Sequence, residues 1–391
     1  MNRIYRVVFN AAVGVWQAVS EIAGGPGKGR QRPRRARRAG LPTLTAATTL
    51  LAAALGNSAA YAACTPVAPA DGTTLTCSGT VQDYFVTGND LLFDIQNGAT
   101  VSSSVIGLPS MHLLGRGITV NNSGVFDPTG GGTFNQSTTA LKMEGGVASN
   151  LTITNSSGAA IYGASGNLPP SLSTFDGMAI EVKNAGGGLT AIDNNGTIGS
   201  RALSGAIEAA DARPVIAVYG GGRVHLNNRA TIHGRVAFET SGQGNVFTNS
   251  GTIYGSVSLG AGSTNQFIAV TGSSVSGSGS SGVLGNNLGV NLAFAPVGIV
   301  DGGANGNNTL TLRNGFDSSA AGSGAIFSSV YTNFSNLQVE GGTWAVNGAL
   351  LSGAATSTSL TGGELVVDNG GFAGSGVITA AGGPCAALPA S

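Results

Sequence analysis

The sequence predicts an all-β protein, a right-handed parallel β-helix (solenoid), and three observations support this fold class. Gly supplies 65 of the 391 residues, and only 9% of the residues are charged, so both shares lie far from those of an average globular domain. Short runs of β-branched residues alternate with Asn-Gly turns. Residues 226–238 (LNNRATIHGRVAF) also align with residues 247–259 (FTNSGTIYGSVSL) at an offset of 21 residues. A Gly/Ser-rich linker would not need apolar residues at such fixed offsets.

The repeated unit extends over much of the chain. Residues 192–199 (IDNNGTIG) form a third copy, 34 residues before the copy at 226–238. Steps of this size are typical of solenoids, in which each copy adds one rung about 4.8 Å from the next. We expect the turn Asn side chains to form a hydrogen-bonded ladder and the apolar residues to stack inside. The anchor residues of successive rungs are Ile161, Ile198, Ile232, Ile253 and Val275. Because the copies match in residue type and not only in polarity, a solenoid is favoured over a β-sandwich or jelly roll.

The first 62 residues differ from the rest in charge. They hold nine Lys and Arg against one acid, Glu21, whereas the remaining chain holds nine basic and 17 acidic residues. A basic run at 28–38 precedes an apolar segment at 41–55, and small residues lead up to Ala62. This order is typical of a signal peptide cleaved between Ala62 and Ala63. The acidic mature chain argues against nucleic acid as a partner.

The start of this leader carries a second, more specific pattern. Its matching positions are Asn2, Tyr5, Arg6, Phe9, Asn10, Trp16, Val19, Ser20 and Glu21. Residues 1–23 resemble the extended signal peptide region of type V secretion, which is found in autotransporters, trimeric adhesins and two-partner exoproteins of Gram-negative bacteria. Phe9 stands where Trp is commoner. The resemblance implies a passenger in transit through the inner-membrane secretion machinery and the outer-membrane assembly machinery. It also implies that residues 1–23 slow inner-membrane targeting.

Two other export routes fit the leader less well. The pairs Arg34-Arg35 and Arg37-Arg38 lack the surroundings of a twin-arginine signal. Cys64 would be the lipid-bearing residue of a lipoprotein, but Tyr61 suits such a site poorly. We therefore expect ordinary cleavage and no lipid anchor.

Two of the three cysteines lie just beyond the expected cleavage site. Cys64 and Cys77 bracket a short loop, and in an oxidising periplasm we expect them to form a disulfide, with two free thiols as the alternative. Closing a loop of this length stabilises a fold by about 3 kcal/mol in the chain-entropy model. Cys385 is left without an assigned role.

The predicted domain organisation has five parts. They are a signal peptide (1–62), an N-terminal disulfide cap (63–80), β-helix repeats (81–308), a C-terminal segment (309–383) and an atypical tail (384–391). The segment at 309–383 resembles the end of an autotransporter passenger, where a folding-nucleating segment lies, and there Phe334 and Trp344 would be capping core residues. Ordinary further rungs explain the same residues equally well.

The resemblance also implies a C-terminal membrane β-barrel, and the sequence departs from it here. Nothing after Ala380 has the alternating strands and aromatic girdles of such a barrel. We expect a chain without its translocator, through a frameshift, a truncation or a separate partner protein. No clear Asn-Pro motif of a two-partner secretion domain is present.

The sequence predicts no catalytic residue, no cofactor and no metal site. His225 and His233 fall on outward faces of the predicted rungs, as do Arg235, Thr252, Tyr254 and Ser256. We interpret these residues as surface residues, and His112 completes the set of three histidines. No Gly-x-Ser-x-Gly motif occurs. The acids are scattered, and the single Gly/Asp run beginning at Asp301 lacks the spacing of a calcium repeat.

These observations favour a non-enzymatic, adhesin-like rod. It would be secreted or held at the cell surface or outer membrane, and it would bind a host-cell or matrix ligand. The first alternative is a carbohydrate-active β-helix enzyme, which would need Asp176, Glu181 and Asp211 in one groove. The second alternative is a truncated, non-functional product that stays in the periplasm.

Overall fold

The structure is a computed structural model, and it divides the chain into two units, Met1–Ser58 and Ala59–Ser391. It describes residues 5–10, 15–20, 64–104, 108–129, 138–165, 177–202, 214–285, 291–315, 322–348, 357–368 and 377–380. In the first unit, strand Tyr5–Asn10 pairs antiparallel with strand Val15–Ser20. Of the predicted secretion motif, the positions from Tyr5 onward lie on this hairpin or next to it in sequence, and Asn2 lies outside the described residues.

The second unit is a parallel β-helix, so the predicted fold class is confirmed. Its described strands form three long sheets, named here sheets I, II and III, of 13, eight and nine strands. The chain visits the sheets in the order I, II, III and then returns to sheet I one rung further along. Within each sheet, neighbouring strands come from successive turns and pair in parallel, except for the first strand of sheet I.

The bounds of the strands are as follows. Sheet I contains Cys64–Thr65, Thr74–Cys77, Leu92–Ile95, Thr119–Asn122, Asn150–Asn155, Leu189–Asn194, Arg223–Asn228, Val246–Asn249, Gln266–Val270, Thr309–Arg313, Asn336–Val339, Ser357–Leu360 and Val377–Ala380. Sheet II contains Thr80–Gln82, Thr100–Ser102, Val125–Phe126, Ala160–Ser165, Thr197–Ala202, Thr231–His233, Thr252–Tyr254 and Ser274–Ser276. Sheet III contains Tyr84–Thr87, Met111–Leu114, Leu141–Glu144, Ile180–Lys183, Pro214–Tyr219, Arg235–Phe238, Val257–Ser258, Val300–Asp301 and Tyr331–Thr332.

Two smaller sheets complete the described strands of this unit. Sheet IV pairs Ser323–Phe327, Thr343–Asn347 and Glu364–Asp368 in parallel, and an antiparallel hairpin joins Gly282–Gly285 to Asn291–Phe294.

The core consists of inward-facing rows that run along the stack. The five predicted anchor residues pair in register on sheet II, from Ile161 through to Val275, as the repeat analysis predicts. On the other sheets, Phe247 stacks between Phe267 and Phe238, with ring centroids 5.3 and 6.3 Å away. Such equivalent side chains bury one another, so a single rung, which could not bury its apolar row alone, is stable in the stack.

A ladder of buried asparagines lines the corner between sheets I and II. In each step the side-chain Nδ2 of one Asn donates to Oδ1 of its equivalent on the next rung, at 2.8–2.9 Å. The five members are Asn122, Asn155, Asn194, Asn228 and Asn249. The ladder that the sequence predicts is therefore confirmed. Its amides satisfy turn groups that the tight corner removes from water.

A second asparagine ladder, which the sequence analysis missed, lies where sheet III returns to sheet I. The backbone N–H of Asn245 donates to Oδ1 of Asn265 at 2.8 Å, and the N–H of Asn265 donates to Oδ1 of Asn308 at 2.9 Å. The three positions are unequally spaced, because the rung before Asn308 carries a long insertion. That irregular spacing hid the repeat.

The corner between sheets II and III explains the glycines of the repeated unit. A Cβ on Gly255 would lie 1.7 Å from the carbonyl oxygen of Gly234, closer than any real contact. Gly234 itself has φ +138°, a backbone conformation that side chains disfavour. Because the chain turns here, the alternation predicted across the glycine does not hold.

Two of the residues predicted to face solvent beyond this corner are buried. Arg235 and Ser256 expose 3% and 0% of their surface, so the surface assignment was wrong for both. The chain after Gly277 folds back over them: Nη1 of Arg235 donates to the carbonyl of Ala295 at 2.9 Å, and Oγ of Ser256 donates to the same carbonyl at 3.1 Å.

The C-terminal segment continues the stack in a different form. Sheet I runs on in register, with Leu310 paired to Leu337. Sheet II has no described strand after Ser274–Ser276, sheet III ends at Tyr331–Thr332, and sheet IV supplies the other described strands of this segment. Phe334 and Trp344 are buried in the main core, in agreement with the residue-level expectation. A dedicated folding-nucleating role for this segment remains a prediction.

Candidate functional site

Among the described links from sheet I to II, from II to III and from III to I, the four longest, of 11 to 23 residues, all lie at one corner of the β-helix, where the chain passes from sheet II to sheet III. At the corner from sheet I to sheet II the links run from two residues, as at 123–124, to four, as at 96–99. Links from sheet II to sheet III include 103–110, 127–140, 166–179, 203–213 and 277–299. In repeat proteins, insertions that gather on one side commonly mark the binding side. Functional side chains are therefore expected on the sheets that flank this corner.

A row of polar side chains runs along the outer face of sheet III, beside the inserted corner. Successive rungs bring Phe85, His112, Lys142 and Glu181 into register. The Nζ of Lys142 lies 3.2 Å from Oε1 of Glu181 and 3.6 Å from Oε1 of Glu144. His112 Nε2 lies 2.9 Å from the same oxygen of Glu144. We name His112, Lys142, Glu144 and Glu181 the polar row.

Alternation within each strand builds this row. In Leu141–Glu144 the apolar residues point to the core and the polar residues point out, since successive side chains of a strand face opposite sides. The strands Met111–Leu114 and Ile180–Lys183 repeat the arrangement, and in-register pairing then aligns their outward residues. The row is therefore a product of three strands that are far apart in sequence.

The outer face of sheet III is open at Phe85 and closed at Glu181. Phe85 is 62% exposed, whereas Glu181 is only 2% exposed. Next in register, Ala217 and Ala237 are fully buried. The hairpin residues Leu292 and Phe294 belong to the same buried cluster as these alanines. The open part of the outer face therefore covers the first rungs of sheet III and ends at the hairpin.

Burial and pairing shift the pKa values of the Glu144 and Glu181 carboxyls in opposite directions. Burial raises the pKa of Glu181, against the opposing influence of the Lys142 charge and the Tyr219 hydroxyl. Partial burial acts to raise the pKa of Glu144 as well, but the hydrogen bond from His112 and the charge of Lys142 outweigh it and lower the pKa. Tyr219 donates to Oε1 of Glu181 at 2.8 Å.

The cationic partners respond to the same surroundings. Burial lowers the pKa of Lys142, but the charges of Glu181 and Glu144 outweigh it, so the pKa lies above its ordinary value. Burial lowers the pKa of His112 despite its hydrogen bond to Glu144. A neutral His112 donates from Nε2 to the carboxylate, because an ionised carboxylate only accepts.

Scattered acids were predicted from the sequence, and for Glu144 and Glu181 this prediction was wrong. In-register stacking brings both within reach of Lys142, although 37 residues separate them in the chain. The shared pattern of the strands MHLL, LKME and IEVK was the available signal, and inserted loops of unequal length concealed it. Asp176 and Asp211, named with Glu181 for an acidic groove, lie outside the described residues.

The other residues named in the sequence analysis contact neighbouring residues of the β-helix or are partly buried in it. His233 is partly buried and stacks on Tyr254, with centroids 4.9 Å apart. His225 is also partly buried. Oδ1 of Asp301 accepts from the backbone N–H of Gly303 and from Asn333. Over the described ranges, no group of three or more His, Cys, Asp or Glu side chains could hold a metal ion.

The N-terminal end of the β-helix begins with the cysteine pair. A disulfide joins Cys64 and Cys77, whose Cα atoms lie 4.0 Å apart, and both residues are buried. The strand Cys64–Thr65 pairs antiparallel with Thr74–Cys77 and so lies at the edge of sheet I. The expected cleavage site at Ala62 and Ala63 and the third cysteine, Cys385, lie outside the described residues.

Comparisons with known proteins bear on the leader. Residues 1–53 match the family model described as Extended Signal Peptide of Type V secretion system.

The chain carries a type V secretion leader.

This leader confirms the resemblance drawn from residues 1–23 and directs the chain across the inner membrane through the secretion machinery. The match covers the leader alone. No curated protein and no solved structure matches the chain. Within the described part of the chain, no helix combines the length and apolarity needed to cross a membrane.

Proposed function

We propose that the mature chain is a non-enzymatic, adhesin-like passenger that acts outside the cell, secreted or at its surface. It binds a ligand on a host cell or in the matrix through the side of the β-helix where sheet II passes to sheet III. The observation that carries this proposal is the concentration of long insertions at that corner. A scaffold that served only as a spacer would have no reason to enlarge one corner well beyond the other two.

The polar row supports binding rather than catalysis. A general acid or base must reach the substrate, but the Glu181 side chain is only 3% exposed, and Lys142 and Tyr219 both contact its Oε1. Glu144 is more open but lies against both His112 and Lys142. The members of the row therefore pair with one another and keep this surface in one arrangement, and their outer atoms are available to a ligand.

Binding and location are tested together on the exported chain. Processed protein recovered from the producing bacterium is added to epithelial cell layers and to matrix-coated wells, with heat-unfolded protein as the control. Saturable binding of the folded protein alone is expected. Protease treatment of intact bacteria locates the chain, because only surface-exposed protein is degraded. Absence of saturable binding on every surface would refute the adhesin-like role, and a chain protected in intact cells would refute the surface location.

A carbohydrate-active enzyme is the second candidate, and one observation favours it. Glu144 and Glu181 lie on the same outer face with their pKa values displaced in opposite directions, as in paired acid and base residues. Processed protein incubated with polysaccharides should then release reducing ends. The substitutions E144Q and E181Q would each have to abolish that release. Activity that survives both changes would exclude this pair.

A further inference from the structure

The exposed ring of Phe85 lies outside the hydrophobic core. It lies at the open end of the outer face of sheet III, and 62% of its surface is exposed. The ring meets His112 edge-on, with centroids 5.4 Å apart and planes at 75°. His112 is in turn held by Glu144, so a hydrogen-bonded support fixes the ring. A supported, exposed aromatic face beside polar groups is a surface suited to a ligand that is apolar on one side and polar at its edges.

The charged groups of the polar row, next to Phe85, are paired with one another. Lys142 and the exposed Lys183 stand against Glu144 and Glu181, and burial lowers the pKa of His112 and so favours its neutral form. The site therefore offers hydrogen-bond donors and acceptors whose charges are already paired with one another. An ionic ligand of either sign would meet a like charge as readily as an opposite one. A neutral ligand with many hydroxyl groups meets no such penalty.

We propose that Phe85, His112, Lys142 and Glu144 form a binding site for a neutral oligosaccharide. The C–H face of one sugar ring lies on the Phe85 ring. Hydroxyl groups of the next sugar donate to Glu144 and accept from Lys142. This assignment rests on the adhesin-like function proposed above and names the class of ligand for one face of the rod.

The dimensions of the open face fit this ligand. The step from Phe85 to Lys142 covers two rungs, or about 10 Å along the stack, which is room for a short oligosaccharide. Beyond Lys142 the face is closed, since Glu181 and the alanines after it are buried. The site therefore binds a few sugar units and not an extended chain that runs the length of the rod.

The test uses the processed protein on an array of neutral oligosaccharides built from glucose, galactose, mannose and N-acetylhexosamines. The strongest glycan is then titrated against four proteins: the unaltered chain, F85A, F85Y and F327A. Phe327 is the matched control, because it is a second exposed Phe, 47% exposed, on sheet IV. We expect F85A to weaken binding at least about tenfold, while F85Y and F327A bind within about twofold of the unaltered chain. Equal thermal transitions show that each variant is folded.

The outcomes separate this inference from the broader function. A blank array overturns the oligosaccharide site, as does binding that F85A leaves unchanged or that F327A removes. If the unaltered protein and F85A adhere equally to cells, the adhesin-like role stands and the site is wrong. If cells are not bound but the array shows binding that depends on Phe85, the site stands and the adhesin-like role fails.

Discussion

At the scale of single residues, the buried asparagines give the sharpest link between sequence and structure. Asn194 both receives and donates in its ladder: Nδ2 of Asn155 donates to its Oδ1, and its own Nδ2 donates to Asn228, each at 2.8 Å. Its Oδ1 also accepts from the backbone of Gly196 at 3.2 Å. Asparagine at the same turn position of successive copies predicted such a ladder, because equivalent side chains of stacked rungs lie next to one another.

Replacing Asn194 by Ala should lower the free energy of unfolding by about 2 kcal/mol or more, since buried partners lose their hydrogen bonds. The neighbouring Asn195 is the matched control. Its side chain makes one exposed contact, from Arg229 at 3.4 Å, so N195A should cost less than about 0.5 kcal/mol. Urea unfolding followed by circular dichroism measures both. Equal midpoints for N194A and N195A would contradict the assigned role of the ladder.

The histidines predict a dependence of stability on pH. Burial lowers the pKa of His112, of His225 and of His233 in the folded chain. The unfolded chain therefore binds protons first as the pH falls through the ordinary histidine range near 6.5, so acidification favours unfolding. The pKa of Glu144 is lowered in the folded chain, so acidification through its titration range also destabilises the fold, at more acidic pH. The pKa of Glu181 is raised in the folded chain, so protonation of Glu181 favours the folded state instead.

We expect the urea concentration at the unfolding midpoint to decrease when the pH is lowered from 7.5 to 5.5. We expect a smaller decrease for H233Q. Asn195, which does not titrate, supplies the control: N195A should keep the full pH dependence. If H233Q loses as much stability as the unaltered protein over this interval, His233 does not contribute to the acid response.

At the scale of elements, the strands were predictable and the corners were not. Apolar alternation located the sheet II rungs, whose anchors from Ile161 to Val275 pair as expected. The burial of Arg235 could not be foreseen, because the segment that covers it is an insertion with no repeat pattern of its own. The polar row could not be predicted either, because inserted links of unequal length separate its members in the sequence and they become neighbours only in the folded chain.

The disulfide is the element that closes the first rung. Replacing both Cys64 and Cys77 by Ser should cost about 3 kcal/mol in the chain-entropy model. The loss should be local, because the stability of a solenoid is a sum of neighbour contacts. Hydrogen exchange read by mass spectrometry should show faster exchange in 74–95 and unchanged exchange in 223–249. Dithiothreitol should produce the same change in the unaltered protein and none in the variant. Slow exchange at 74–95 in the variant would show that the disulfide does not stabilise this edge of sheet I.

At the scale of the whole molecule, residues 1–62 and residues 63–391 carry opposite charge, and we expect processing to separate them. The mature chain should begin at Ala63, with its intact mass equal to that of residues 63–391 less the two hydrogens of the disulfide. Mass spectrometry of exported protein measures this directly. A68V, beyond the leader, should leave the cleavage position unchanged, whereas A62R should block it and retain the precursor. A mature chain that begins elsewhere would move the cleavage site and would require new bounds for the cap.

The order of strands within sheet I has a consequence for how the protein is made. Each strand pairs with the strands one turn before and one turn after it, so within sheet I no described strand needs a distant part of the chain as a partner. Contacts between turns can therefore form one after another along the sequence, and each completed turn presents a free strand edge to the next. A chain of this kind can be drawn through a membrane unfolded and assembled progressively on the far side, and each new rung hinders backward slippage.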